Sequence, residues 1–167
     1  MRIIDRKLKA HIGQYIFQCT LATGSILIVL LFLDVVSHTA IIATLGASAF
    51  IVFTMPRSYP SRLRPLLGGY LVGISVGCVF HLLSKSQLAY SMFVSSEMAY
   101  IVCASLAVGV AIFVMVITNT EHPPASGMAL GLVLNEWDYG TLLFILCAVL
   151  VLALVKTILK PFLMDLV

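Results

Sequence analysis

Charge is what this sequence has least of. Only 10% of its 167 residues are Asp, Glu, Lys or Arg, against about 25% in soluble domains, and that scarcity excludes water as the main solvent of the fold. Metal and redox spacings are missing as well. The four cysteines, Cys19, Cys78, Cys103 and Cys147, stand far apart in apolar segments with no CxxC pair, and the four histidines form no HxxxH or HExxH pattern. No metal site and no cofactor is therefore expected, and the cysteines read as small packing residues. A paired nucleophile and base is also lacking, so the chain is not expected to be an enzyme. The net charge is only +3, and its basic residues gather at segment ends, which points to topology signals and away from nucleic acid. No Ala-x-Ala-like site follows the basic start, so the first apolar stretch is expected to stay as an anchor.

What the sequence has is hydrophobicity. Apolar residues make up 61% of the chain, the mean hydropathy is +1.11, and the apolar residues are gathered into runs such as 26–33, 98–117 and 142–155. This predicts an all-α, polytopic helical membrane protein, a single transmembrane domain over residues 1–167 with the lipid bilayer as its main partner. Four segments, 13–33, 66–83, 98–117 and 141–159, approach the roughly 20 residues that cross a bilayer. Two others, 39–55 and 118–134, are apolar but short, and the second opens on polar residues and two prolines.

Lys and Arg collect in cytoplasmic loops, and that bias arbitrates between four and six crossings. With a cytoplasmic N-terminus and six crossings, Arg2, Arg6, Lys7, Lys9, Arg57, Arg62, Arg64, Lys156 and Lys160 all fall inside. Lys85 is then left outside with Asp34, His38, Glu97, Glu136 and Asp138. If both short segments instead returned to the face they left, the tally would worsen, so six crossings are preferred. The six elements divide into halves 13–83 and 98–159, each with its short segment second. An odd number of crossings per half makes this an inverted 3+3 repeat, and paired short or proline-broken segments in such halves point to a transporter's binding site. Gly69, Gly73 and Gly77 recur every fourth residue, as do Gly127 and Gly131. Such faces admit a second backbone, within the chain or in a homo-oligomer, or line a narrow pathway.

Functional groups are densest at Asn119, Thr120, Glu121, His122, Pro123, Pro124, Ala125, Ser126 and Gly127. The two prolines predict that the preceding span ends before His122 and that a new helix begins at Pro124. From 124 to 134 that helix would rise about 16 Å at 1.5 Å per residue, roughly half the hydrocarbon core. The rest of the crossing must be non-helical chain, which survives at membrane depth only inside protein or beside a watery cavity. The helix start would aim N–H donors of Ala125, Ser126 and Gly127 and a positive dipole end at that cavity, which favours an anion. Thr44, Gly46, Ala47 and Ser48 of the first short segment could form the other wall, or could be ordinary small-residue packing. Glu121 reads as a helix-cap residue, a proton carrier or a counter-ion. His122 reads as a donor or proton exchanger, or as a partner for backbone groups freed by the prolines. Arg57, Arg62 and Arg64 set topology, or form a basic entry vestibule that concentrates anions.

The His122-Pro123-Pro124-Ala125 run after an apolar span resembles the signature of the HPP family of integral membrane proteins. Gly46-Ala47-Ser48-Ala49, leading to Pro56, Ser58, Arg64 and Gly68-Gly69, looks like that family's other characteristic stretch, in the expected order. The resemblance implies a transport-type protein, some members being associated with nitrite. The expected function is thus a transporter or channel for a small inorganic anion, with nitrite the leading candidate, in a bacterial inner membrane. The alternative is a structural or regulatory membrane protein acting through oligomeric packing. Arg62, Leu63 and Pro65 depart from the family pattern, and Tyr70 stands where a His often follows the glycine pair. Those departures are expected to touch the cytoplasmic mouth. No attached soluble domain is expected beyond the last span.

Overall fold

The computed structural model describes residues 7–33, 38–92 and 95–166. Arg2, Arg6 and Asp34, which entered the charge tally, lie outside the described residues. Among the described residues the regular structure is helical. In chain order the helices are α1 (Lys7–Phe32), α2 (Thr39–Thr54), α3 (Leu63–Ser84), α4 (Gln87–Met92), α5 (Ser96–Thr118), α6 (Pro123–Leu134) and α7 (Tyr139–Leu159), with 3-10 turns at Tyr59–Ser61 and Lys160–Phe162. Four of them are long and apolar enough to cross a membrane, and α2 and α6 are the short apolar pair. The protein is an integral membrane protein built as the sequence predicts, with α4 an unanticipated addition between the halves.

Polar punctuation sets the helix ends. The Ser95 hydroxyl accepts the Met98 N–H at 3.2 Å with Glu97 in the same turn, and Asp138 accepts the Thr141 N–H at 2.7 Å, each quenching donors that a helix start leaves free. Pro65 does not prolong the loop as the sequence suggests: it sits in the first turn of α3, where a missing N–H costs nothing. The helix after the HPP motif likewise starts one residue early, at Pro123. Near the start of α1 the helix kinks at His11 (φ −131°, ψ 30°).

Lipid sets an outward apolar face. Leu31, Phe32, Leu82 and Ile158 are 72%, 71%, 66% and 63% exposed, which only a lipid solvent tolerates along the length of such helices. Because lipid is as apolar as leucine, close packing and internal hydrogen bonds must hold the helices together. The glycine stripe supplies that closeness. A Cβ at Gly73 would lie 2.2 Å from the Ala125 carbonyl oxygen, one at Gly69 2.7 Å from His122 Cβ, and one at Gly77 3.0 Å from Ala129. Gly127 and Gly131 meet Thr44 and Ile41 of α2 in the same way. Both glycine faces are therefore filled by the chain's own helices, which removes the reason they gave for expecting a homo-oligomer.

These contacts fix direction. Residues 69, 73 and 77 of α3 meet 122, 125 and 129, so α6 runs parallel to α3, while 41, 44 and 48 of α2 meet 131, 127 and 122, so α2 runs antiparallel to α6. Neither short helix turns back to the end it came from. The halves are nonetheless packed unequally. α3 lies against both α5 and α6, whereas the matching pair, α7 and α1, is parted by an apolar groove of 320 Å³ bridged at Phe32 and Phe144, whose rings are 5.9 Å apart.

Candidate functional site

The prolines at 123 and 124 force the chain to stop, turn and restart. α5 ends on Asn119 in the left-handed conformation (φ 52°), which Asn adopts more readily than most residues. The N–H groups of Asn119 and Thr120 both reach back to Met115 O, closing the last turn of the helix. Thr118 and Thr120 hydroxyls meet at 2.8 Å, and Thr120 is buried over Gly68. Four residues after α5, His122 drops between α2, α3 and α6.

His122, Ser48 and Tyr70 are 0%, 0% and 1% exposed. The imidazole Nδ1 lies 2.8 Å from Pro60 O, and Nε2 lies 2.8 Å from Ser48 Oγ. Beyond Ser48, the Tyr70 hydroxyl stands at 2.7 Å, and that hydroxyl is 3.2 Å from Thr44 O. A carbonyl can only accept, so Nδ1 carries a proton. In the neutral ring Nε2 must then accept from Ser48, which accepts from Tyr70. If the ring takes a second proton, every bond can reverse: Nε2–H to Ser48, Ser48 to Tyr70, and Tyr70 to the Thr44 carbonyl. Both protonation states thus have a complete set of partners.

The turn carrying Pro60 is held from three sides. Tyr59 Oη lies 2.7 Å from Glu121 Oε2 and 2.9 Å from Asn119 O. This bond holds the Glu121 carboxyl below its ordinary pKa and pushes the Tyr59 phenol above its own. Lys156, buried in α7, donates to Ser61 O and lies 3.0 Å from Ser61 Oγ. Arg64 donates to Thr118 O at 2.8 Å.

Of the residues the sequence singled out, Thr44, Ser48, Thr120, His122, Pro124 and Ala125 are buried together. Asn119, Glu121 and Pro123 form the rim at the basic end, where Glu121 serves as the acceptor for Tyr59. Ala47 is exposed, and Gly46 packs against Ile26 of α1, so neither faces His122. The Ala125 N–H already donates to His122 O at 2.8 Å, and the Ser126 hydroxyl to Pro123 O at 2.8 Å. The three arginines do not share one vestibule either: Arg57 and Arg62 line a cavity with Lys156 and Lys160, while Arg64 turns to α5.

Four contributors escaped the sequence reading. Tyr70 was expected at the mouth but lies one turn deeper, in the His122 network. Its signal was a hydroxyl-bearing aromatic in an otherwise aliphatic stretch after the glycine pair. Pro60 and Ser61 act through carbonyls, which no residue type announces. Lys156 was read as a topology charge.

The opposite end of α6 is closed by side chains too. Asn135 Nδ2 donates to Gly131 O at 2.7 Å, Trp137 Nε1 to Leu132 O at 2.9 Å, and His81 Nδ1 approaches Val133 O at 3.4 Å. The Leu132 and Val133 carbonyls are ones that a helix end leaves free, and Gly131 O also accepts the Asn135 backbone N–H.

Comparisons with known proteins place the chain among transmembrane proteins. A transmembrane protein of Dictyostelium discoideum is 32% identical over 90 residues, which amounts to 54% of this chain but only 28% of that relative's length. No solved structure matches. The family model for the HPP transmembrane region matches residues 7–163. With that match covering nearly all of its length, the chain belongs to the HPP transmembrane family.

Proposed function

We propose that this protein moves a small inorganic anion, with nitrite the leading candidate, across a bacterial inner membrane through a path that opens beside His122, its N-terminus lying in the cytoplasm. The observation that carries this reading is a solvent-excluded imidazole at the junction of two short helices, in a hydrogen-bond chain that is complete in either protonation state. Ionisable groups at membrane depth are expensive and are commonly found on ion and proton pathways. The arrangement is a closed one. Transport requires the Tyr59–Ser61 turn to leave, which frees the His122 Nδ1–H from Pro60 and opens the N-terminal end of α6, whose helix dipole favours an anion. Ser48, Thr44, Tyr70 and Ser126 would then share the replacement of its hydration shell, and the cations at the same end would raise its local concentration.

One observation favours a second reading. Both ring nitrogens of His122 already have protein partners, as they would if the motif served only to lock a helical hairpin in a structural or regulatory protein.

Uptake of nitrite into proteoliposomes separates the two. The wild type should exceed empty liposomes, and His122→Ala protein that still elutes as a single species should lose most of that flux. Absence of wild-type uptake removes nitrite, and full uptake by a folded His122→Ala variant removes the site. Thiol labelling from either side of cysteines placed at Ser58 and Asn135 tests the orientation, since those positions should face opposite compartments.

A further inference from the structure

At the basic end, where the loop after α2 meets the start of α3 and the end of α7, lies a cavity of 810 Å³. Arg57, Arg62, Lys156 and Lys160 line it, together with the apolar Pro56, Leu63, Pro161 and Leu163. Of these side chains Arg57, Arg62 and Lys160 are exposed and Lys156 is buried. None of the four is within 4 Å of a carboxylate among the described residues, where the one salt bridge is Lys85 with Glu136 at the far end. Asp165 is near, but its Oδ1 accepts the Arg57 backbone N–H at 3.0 Å. Arg62 rests on the Tyr59 ring at 5.6 Å, and Lys156 donates to the neutral Ser61. Among the described residues Asp165 is the carboxylate that acts on Lys156 and offsets part of this charge, and the remaining excess of converging cations favours binding a further anion.

Size and lining decide which anion. A three-atom inorganic ion is comparable to one or two waters, each about 30 Å³ in the liquid, and would leave most of the cavity empty. The wall is partly apolar, with Leu63 in it 47% exposed, and the neighbouring Phe162 is 61% exposed. A ligand with a phosphate at the charged end and hydrocarbon beside it satisfies both surfaces. Basic pockets between helix ends at a membrane surface suit acidic lipid headgroups for this reason.

We propose that this cavity binds a phosphate-bearing anion supplied by the membrane, the headgroup of an anionic phospholipid, held by Arg57, Arg62, Lys156 and Lys160. The site adjoins the His122 network through Lys156 and Arg62, which touch the Tyr59–Ser61 turn, but the proposal does not depend on what the protein transports.

Native mass spectrometry of the full-length protein, titrated in detergent with phosphatidylglycerol, phosphatidylcholine or inorganic phosphate, tests it. The expected result is retention of phosphatidylglycerol over phosphatidylcholine, weakened about fivefold for each cation removed in Arg57→Gln and Lys160→Gln. These two side chains are exposed, so the variants should fold. Arg64→Gln, which removes a cation from the same end but outside the cavity, should keep the preference. Equal retention of the two lipids, or an undiminished preference in the Arg57→Gln/Lys160→Gln double variant, overturns the proposal. Inorganic phosphate binding as tightly as the lipid, and lost in the same variants, would make this a soluble-anion site and overturn the lipid assignment.

Discussion

The two short helices occupy equivalent places in the two halves, yet their ends are secured by different means. The ends of α6 are set chiefly by residues that flank it. His122 and the prolines start it, Asn135 and Trp137 take its last carbonyls, and the α3 glycines seat it. α2 depends on distant chain. Gln18 of α1 donates to Phe53 O and, at 2.9 Å, to Met164 O, while the Leu166 N–H donates to Thr54 O at 2.8 Å and Tyr15 closes on Leu166 O at 2.9 Å. Each solution keeps backbone groups satisfied at membrane depth, as lipid requires. The contrast shows that a helix can be shortened by its own sequence or by what the rest of the fold brings to its end.

The largest effect should come from the α6 seat. Gly73→Ala places a Cβ against the Ala125 carbonyl at 2.2 Å, a clash with backbone that cannot rotate away, and should cost about 3 kcal/mol or more. Gly109→Ala, with nothing within 4 Å, should instead gain about 0.5–1 kcal/mol from helix propensity. Thermal unfolding in detergent should separate the two by opposite shifts, and equal shifts would refute close α3–α6 packing. His122→Ala comes next, at about 2–4 kcal/mol, since it strands Ser48 and the Pro60 carbonyl and leaves a void. Gln18→Leu tests the other helix. It leaves the Phe53 and Met164 carbonyls without that donor and should cost about 1–3 kcal/mol. Proteolysis should then cut first near residues 163–166, whereas His122→Ala should expose the 119–122 turn. The same cleavage pattern in both variants would mean that the two ends form one cooperative unit.

The smallest effect is electrostatic and lies beyond the membrane. Lys85 Nζ is 2.7 Å from Glu136 Oε1, and that hydrogen bond holds the Glu136 carboxyl below its ordinary pKa. A carboxyl lowered by folding contributes stability above its unfolded value and loses it as pH falls through the folded one. Both side chains are exposed, 37% and 82%, so solvent screens the pair and the effect is slight. Wild type and Glu136→Gln should differ a little in melting temperature at neutral pH and converge in acid.

The helical spans were legible because lipid selects for apolar runs of fixed length, and hydropathy alone bounds α2, α3, α5 and α7 within about three residues. The broken segment at His122 was legible because proline cannot continue a helix. Tyr70 was not, because its neighbours are aliphatic and only the register of α3 against α2 turns its hydroxyl to Ser48. Pro60 and Ser61 were hidden for a different reason: backbone carbonyls carry no residue identity. Lys156 was read as a topology charge at the end of the last span, though it is buried and its amine reaches Ser61, since a long side chain can place its charge well away from its own backbone.

Composition and punctuation by themselves determined that this is a helical membrane protein with four full spans, two short helices and a break at His122-Pro123-Pro124. Those features follow from solvent and local sterics, which act residue by residue. Only the tertiary structure decided that α3 glycines admit α6, that His122 finds Ser48 and Pro60, and that Arg57 and Arg62 part company with Arg64. Such pairings join residues as far apart as Ser48 and His122, 74 positions, and they depend on which helix faces meet.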